Sequence, residues 1–133
     1  MKNQKEIIQD FEIFEDWMEK YQYIIDLGKE LDKLDDADKI DVNKLQGCQS
    51  QVWIVHELDG DKIVFKAESD AAIVSGLVAL VLSIYSGKTA KEIISTEPTF
   101  ISEIGLDKHL SGTRSNGLAS LLAKIQEVAQ SYI

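Results

Sequence analysis

The sequence predicts an α+β fold in a single domain spanning residues 1–133, a small antiparallel sheet of about three strands packed against helices. Three observations carry that prediction. Apolar residues recur at helical spacing through the first third of the chain. The period drops to two between positions 52 and 68, and a run that is apolar nearly all round follows from Ile73 to Tyr85.

Each element has its own signal. Ile7, Phe11, Phe14, Met18, Tyr21 and Ile25 form one apolar seam at alternating steps of four and three residues. Asp16 with Glu19 is a capping pattern, so a break near Glu15 divides the seam into two helices. An aromatic stripe at this spacing reads as core. Asp32 to Asp41 is acidic and nearly devoid of large apolar residues, a solvated connection. Val42 to Leu45 is expected as a short strand beside two longer ones. The first of these runs from Val52 to Leu58, and the second alternates through Ile63, Phe65 and Ala67. Asp59-Gly60-Asp61 between them supplies hairpin turn chemistry. Ser69 or Asp70 is expected to cap the following helix, which has no polar face and is therefore central. Gly87 ends it. Thr89-Ala90-Lys91-Glu92 is a capping box that opens a shorter helix. Pro98 and Gly105 punctuate another brief turn of helix. Leu118, Leu121, Leu122, Ile125, Val128 and Tyr132 mark an amphipathic C-terminal helix, and no internal repeat is visible.

Composition excludes several classes of function. Fourteen basic against twenty-three acidic residues give a net charge of −9, a surface that repels nucleic acid and anionic membranes alike. The apolar run from Ala71 to Tyr85 falls short of the ~20 residues of a membrane span. A lone cysteine closes no intramolecular disulfide and no signal-peptide pattern opens the chain, so a cytoplasmic protein is expected. Cys48, His56 and His109 show no metal-ligand spacing, and phosphate-cradling glycine motifs and nucleophile elbows are absent.

The chemistry therefore centres on Cys48. It lies in the polar stretch Gly47-Cys48-Gln49-Ser50-Gln51, outside any apolar periodic segment, where buried structural cysteines usually sit. Loops present functional side chains, so a reactive thiol and an inert one both remain open. No lysine or arginine adjoins Cys48 in sequence, so help in forming thiolate must come from the fold or a partner. His56, mid-strand beside Glu57, reads as a solvated or satisfied histidine, and His109 as a loop histidine. Trp53 reads as core.

Gly47-Cys48-Gln49-Ser50-Gln51-Val52-Trp53 resembles the signature of the SufE family, the sulfur acceptors that serve cysteine desulfurases in iron–sulfur cluster assembly. Ser69-Asp70-Ala71-x-Ile73-Val74-x-Gly76-Leu77 resembles the start of that family's central helix. Leu110-Ser111-x-Thr113-Arg114-Ser115-Asn116-Gly117-Leu118 resembles the block that begins its last helix. The three blocks occur in the family's order and span almost the whole chain. Two departures stand out: Ser75 replaces an arginine common before the glycine, and aspartates follow Leu31 where prolines are common.

The resemblance implies a SufE/IscU-like sandwich and covalent sulfur carriage. A pyridoxal-phosphate cysteine desulfurase (SufS-like) is the implied partner, and a downstream Fe–S scaffold complex the implied recipient. The chain itself is expected to bind no cofactor or metal and to have no independent turnover. Cys48 is the implied acceptor, taking sulfur as a persulfide by the logic of thiol–disulfide exchange. Gly47, Gln49, Ser50 and Gln51 are candidates to order its loop or cap the persulfide. Asp70 reads as a helix cap rather than an acid or base, and Arg114 either holds a carboxylate or loop backbone or is a surface residue. Cys48 is expected at the tip of a short loop with Gly47 as hinge, its sulfur shielded by Leu45, Val52 and the helix face near Val74. Two other classes compete: a cluster scaffold, which needs several cysteines, and a thiol hydrolase with His56 or His109 as base.

Overall fold

The computed structural model describes residues 4–46 and 50–133. Helices α1 (Gln4–Glu12) and α2 (Trp17–Gly28) lead into a connection and then a hairpin of β1 (Val52–Asp59) and β2 (Lys62–Ser69). The central helix α3 (Ala72–Tyr85) is followed by β3 (Lys88–Thr89), α4 (Ala90–Ser95), α5 (Phe100–Ile104), α6 (Leu106–His109) and α7 (Gly112–Gln130). The three strands form one antiparallel sheet in the order β1-β2-β3. The α+β fold read from the sequence is the fold observed.

The break near Glu15 is made by reciprocal capping. Asp16 Oδ1 accepts the Glu19 N–H at 2.9 Å, and the Glu19 carboxylate accepts the Glu15 N–H at 3.3 Å. That break resets the helical phase, which corrects the expected seam. Trp17, Tyr21 and Ile24 carry the packed face of α2, whereas Met18 is 82% exposed and Ile25 only half-buried. Phe14 folds back, edge-on to Phe11 and tilted against Tyr23.

The expected strand over Val42 to Leu45 is not formed. Asn43 turns its side-chain amide to the Asp38 carbonyl at 2.8 Å, and the chain curls into a 3-10 turn over Asp41–Asn43. Val42 is left 80% exposed, with nothing for a strand face to pack on. What remains is an isolated bridge between Lys44 and Trp53, with the Leu45 N–H donating to the Val52 carbonyl at 2.7 Å. Trp53 is half-buried beneath it, at the sheet margin rather than in the core. The third strand comes instead from Lys88–Thr89, placed opposite Lys62 and Ile63 after Gly87 turns the chain at φ +79°.

The core surrounds α3, with the sheet on one side and the other helices around the rest. Tyr85, Phe11, Phe100, Ile24, Ile63 and Ile84 are its largest enclosed side chains, each contributing about 1.5–3 kcal/mol by leaving water. Burial pushes the Tyr85 phenol up to about 12, and its hydroxyl donates to the Thr96 carbonyl at 2.8 Å. The buried Ser86 hydroxyl accepts the Phe65 N–H at 2.9 Å and so closes part of the β2 edge. The predicted capping box at Thr89 and Glu92 is present, and Gly105 ends α5 in the left-handed region at φ +93°.

Helices α2 and α3 cross at van der Waals contact of their backbones. A Cβ on Gly76 would overlap the Ile24 carbonyl, and one on Gly28 would meet the Gly76 nitrogen at 2.6 Å. Neither obstacle is a flexible side-chain tip, so the helices themselves would have to separate. Gly76→Ala is therefore expected to lower the unfolding free energy by about 2 kcal/mol or more despite its better helix propensity. Urea unfolding measures it, and a neutral or stabilising alanine would contradict the crossing.

Candidate functional site

Residues 47–49, including Gly47, Cys48 and Gln49, lie outside the described residues. The chain on either side of them is well placed. Before them, Leu45 is buried and bound through its N–H to the Val52 carbonyl. After them, Gln51 is tied twice to Asp70. The Gln51 N–H donates to Asp70 Oδ1 at 3.0 Å, and the Asp70 N–H donates to the Gln51 carbonyl at 3.3 Å.

This corrects the expectation that Ser69 or Asp70 caps the central helix. Ala71 holds the N-cap position of α3 without a side-chain bond. The Ser69 hydroxyl accepts the Ala71 N–H at 3.3 Å, and the Ser75 hydroxyl reaches back to the Ser69 carbonyl at 3.3 Å. Asp70 is exposed and acts across the gap between strand and helix, a positioning residue for the segment after Cys48.

Between these ends lies a cavity of about 330 Å³. Leu45, Ser50 and Val52 form one wall, Val74 and Leu77 of α3 another, and Arg114 with Leu118 of α7 a third. Leu45, Val52 and Val74 are the three residues named from sequence as a lining. The α7 wall was legible only as an apolar stripe, with nothing in Leu118 or Leu121 to say which space they would bound. Ser111, also on that wall, caps α7 by accepting the Arg114 N–H at 3.3 Å. Arg114 is exposed in the first turn, and among the described residues no carboxylate comes within ion-pair distance of it. It is thus available for an anionic group near the cavity.

A second anchor holds the acidic connection. Glu68 accepts the Leu34 N–H at 2.9 Å and pairs with Lys39 Nζ at 2.7 Å. The hydrogen bond from Lys39 keeps the Glu68 carboxyl below its ordinary 4.5, and the same bond raises the Lys39 ammonium. Leu34 is buried beneath this pair, so the connection is not wholly solvated as its composition implied.

The histidines are placed apart from this cavity's walls. His109 stacks on Trp17 with ring centroids 3.9 Å apart, a partnership that sequence spacing did not reveal, and its carbonyl accepts the Tyr21 hydroxyl at 2.7 Å. His56 is exposed and meets the Tyr132 hydroxyl through Nε2 at 2.9 Å. Among the described residues no group of three or more His, Cys, Asp or Glu is arranged to hold a metal ion. No described helix is long and apolar enough to cross a membrane.

The two anchors can be tested separately. Glu68 has a depressed folded pKa, so its contribution is present above the ordinary 4.5 and lost as pH falls through the folded value. The stability advantage of the native chain over Glu68→Gln is expected to hold at neutral pH and shrink as pH falls below 4.5. An advantage unchanged well below that pH would show the pair contributes nothing. Asp70→Ala is expected to raise hydrogen exchange at the Gln51 amide about tenfold, the loss of one hydrogen bond, while β2 amides keep their protection. Unchanged exchange at Gln51 would remove the positioning role.

Comparison with known proteins agrees with these features. Residues 5–129 match the family model described as "SufE: Fe-S metabolism associated domain". An uncharacterized SufE-like protein of Rhizobium meliloti (strain 1021) is 44% identical over 135 aligned positions, covering 98% of this chain and 96% of that one. One of Rhizobium etli is 45% identical over 135 positions, covering 98% of this chain and 91% of its own. In structure, the chain resembles a hypothetical protein from Thermus thermophilus solved in solution, with a TM-score of 0.79, 15% identity, and 97% and 94% of the two chains covered. That likeness speaks to the fold alone. With the family model and both relatives spanning nearly its whole length, the chain belongs to the SufE family, whose domain is associated with Fe–S metabolism.

Proposed function

We propose that this protein accepts sulfur from a cysteine desulfurase on Cys48 and passes it toward Fe–S cluster assembly. The observation that supports the reading is the cavity of about 330 Å³ whose wall includes residues on both sides of Cys48 in the chain, Leu45 and Ser50. Its walls are mostly apolar, with Arg114 as a cation among them. The described residues flanking positions 47–49 thus border a largely apolar space. Susceptibility to oxidation and to stray thiols follows exposure, so such a space suits a persulfide.

The transfer balances without an external oxidant. The partner, carrying pyridoxal phosphate, holds a persulfide on its own cysteine. The Cys48 thiolate attacks the terminal sulfur, and the bond between that sulfur and the desulfurase cysteine breaks. The electron pair leaves on the desulfurase thiolate, and a Cys48 persulfide forms that retains the terminal proton. A lone cysteine suits this task, because a second thiol in the same chain would resolve the persulfide into a disulfide and expel the sulfur.

Mass spectrometry tests the reading directly. After incubation with a pyridoxal-phosphate cysteine desulfurase and free cysteine, the protein is expected to gain one sulfur atom on Cys48. Cys48→Ser is expected to gain none and to leave desulfurase turnover unstimulated while folding normally. A native chain that stays unmodified, or a serine variant that still accelerates sulfide release, overturns it.

A further inference from the structure

We propose that the outer edge of β1, from Ile54 to Leu58, receives an extended segment of the cysteine desulfurase as an added strand, an inference that rests on the sulfur-acceptor reading above. In an antiparallel ladder, the two residues of a pair turn their backbone groups either toward each other or away. Phe65 gives its N–H to Ser86, and the Ile63 carbonyl takes the Gly87 N–H, both on the side of β2 away from β1. Their partners across the ladder are His56 and Leu58. These two therefore turn N–H and carbonyl away from β2, to the open edge of the sheet.

The chain has begun to cover this edge and stopped. The same phase turns the Val52 carbonyl outward, where the Leu45 N–H meets it at 2.7 Å, and Lys44 bridges Trp53. Beyond Trp53, among the described residues, no backbone group pairs with the outward groups of His56 or Leu58. Leu58 is 51% exposed. Free edges are ordinarily blunted by lysine, proline or a bulge, because an unpaired row of donors and acceptors is a template for another strand. This stretch has an exposed leucine instead. At its Ile54 end a groove of about 520 Å³ opens between Lys44, Leu45, Ile54 and the Ala123–Lys124 turn of α7, mixed polar and apolar in lining.

Charge selects the occupant. Asp59 and Glu57, the latter 3.8 Å from Lys66 Nζ, flank the edge on a chain of net charge −9, so the matching segment carries an apolar residue and basic neighbours. A second copy would bring the same −9, so self-pairing is opposed by the net charge.

Leu58→Pro removes one outward donor and leaves the β1–β2 ladder bonds intact, since that N–H does not face β2. Leu58→Lys keeps the backbone and adds a charge that opposes a basic strand, and it decides the matter should the proline variant fail to fold. With a pyridoxal-phosphate cysteine desulfurase, either variant is expected to raise the half-stimulating concentration about tenfold with maximal stimulation unchanged. In the native complex the His56 and Leu58 amides are expected to exchange at least about tenfold more slowly than in the free protein. If the native chain stimulates the desulfurase but a folded variant behaves identically, or those amides gain no protection, the edge proposal is wrong. If the native chain neither stimulates the desulfurase nor takes sulfur from it, the acceptor reading itself fails.

Discussion

The backbone contact between α2 and α3 is the constraint on which the rest of the molecule depends. Gly76 brings α3 against the Ile24 carbonyl, and Gly28 receives α3 from the other side of the crossing. That approach fixes how far α3 lies from the N-terminal pair of helices, and α3 is apolar almost all round, so it must also pack on the sheet and on α7. A shift of α3 would therefore be felt on every layer. The cavity inherits its width from this arrangement, because Val74 and Leu77 sit within one turn of Gly76 and face Leu45, Val52 and Leu118 across it. Interiors at crystal-like density transmit such displacements rather than absorb them.

Against that rigid frame, the described residues flanking 47–49 are held by few backbone bonds, with Leu45 also packed into the core. Leu45 is pinned by one strand-type bond to Val52 and Gln51 by two bonds to Asp70. Bonds of this kind contribute about 1 kcal/mol each when water competes for the partners. The Lys39–Glu68 pair with its bond to Leu34 secures the preceding connection at its far end, ahead of the 3-10 turn. The described residues next to 47–49 are thus held by these few bonds, and the connection before them by the Glu68 anchor.

Much of this was legible in the sequence, for identifiable reasons. The hairpin at Gly60, the capping box at Thr89, the Asp16 cap and the apolar α3 are local signals, each spelled by residues within a few positions of one another. Readings that depend on distant partners failed. The third strand has two residues and no period, and exists because Ile63 and Gly87 happen to meet. Val42 to Leu45 is a fair strand by composition, but Asn43 prefers the Asp38 carbonyl and curls the chain. Asp70 looked like a cap because aspartate before a helix usually is one, yet its carboxylate reaches Gln51, which is 19 residues away in sequence. At the site, Leu45, Val52 and Val74 were legible from sequence as a lining, while Ser111 and the α7 wall emerged only from packing.

Charge explains why the reactivity of such a cysteine would depend on company. A chain of net charge −9 brings little positive charge of its own to a thiol. Of the fourteen cations, several are engaged elsewhere: Lys39 with Glu68, Lys66 near Glu57, and Lys20 over the Trp17 ring at 4.8 Å. Arg114, on the cavity wall, has no carboxylate partner among the described residues, and it is exposed to a high-dielectric surround that weakens its reach. On the acceptor reading, positive charge brought by the desulfurase would favour the Cys48 thiolate. Docking and thiolate formation become one event. Sulfur would be taken only where a donor is present, and the free protein would carry a quiet thiol.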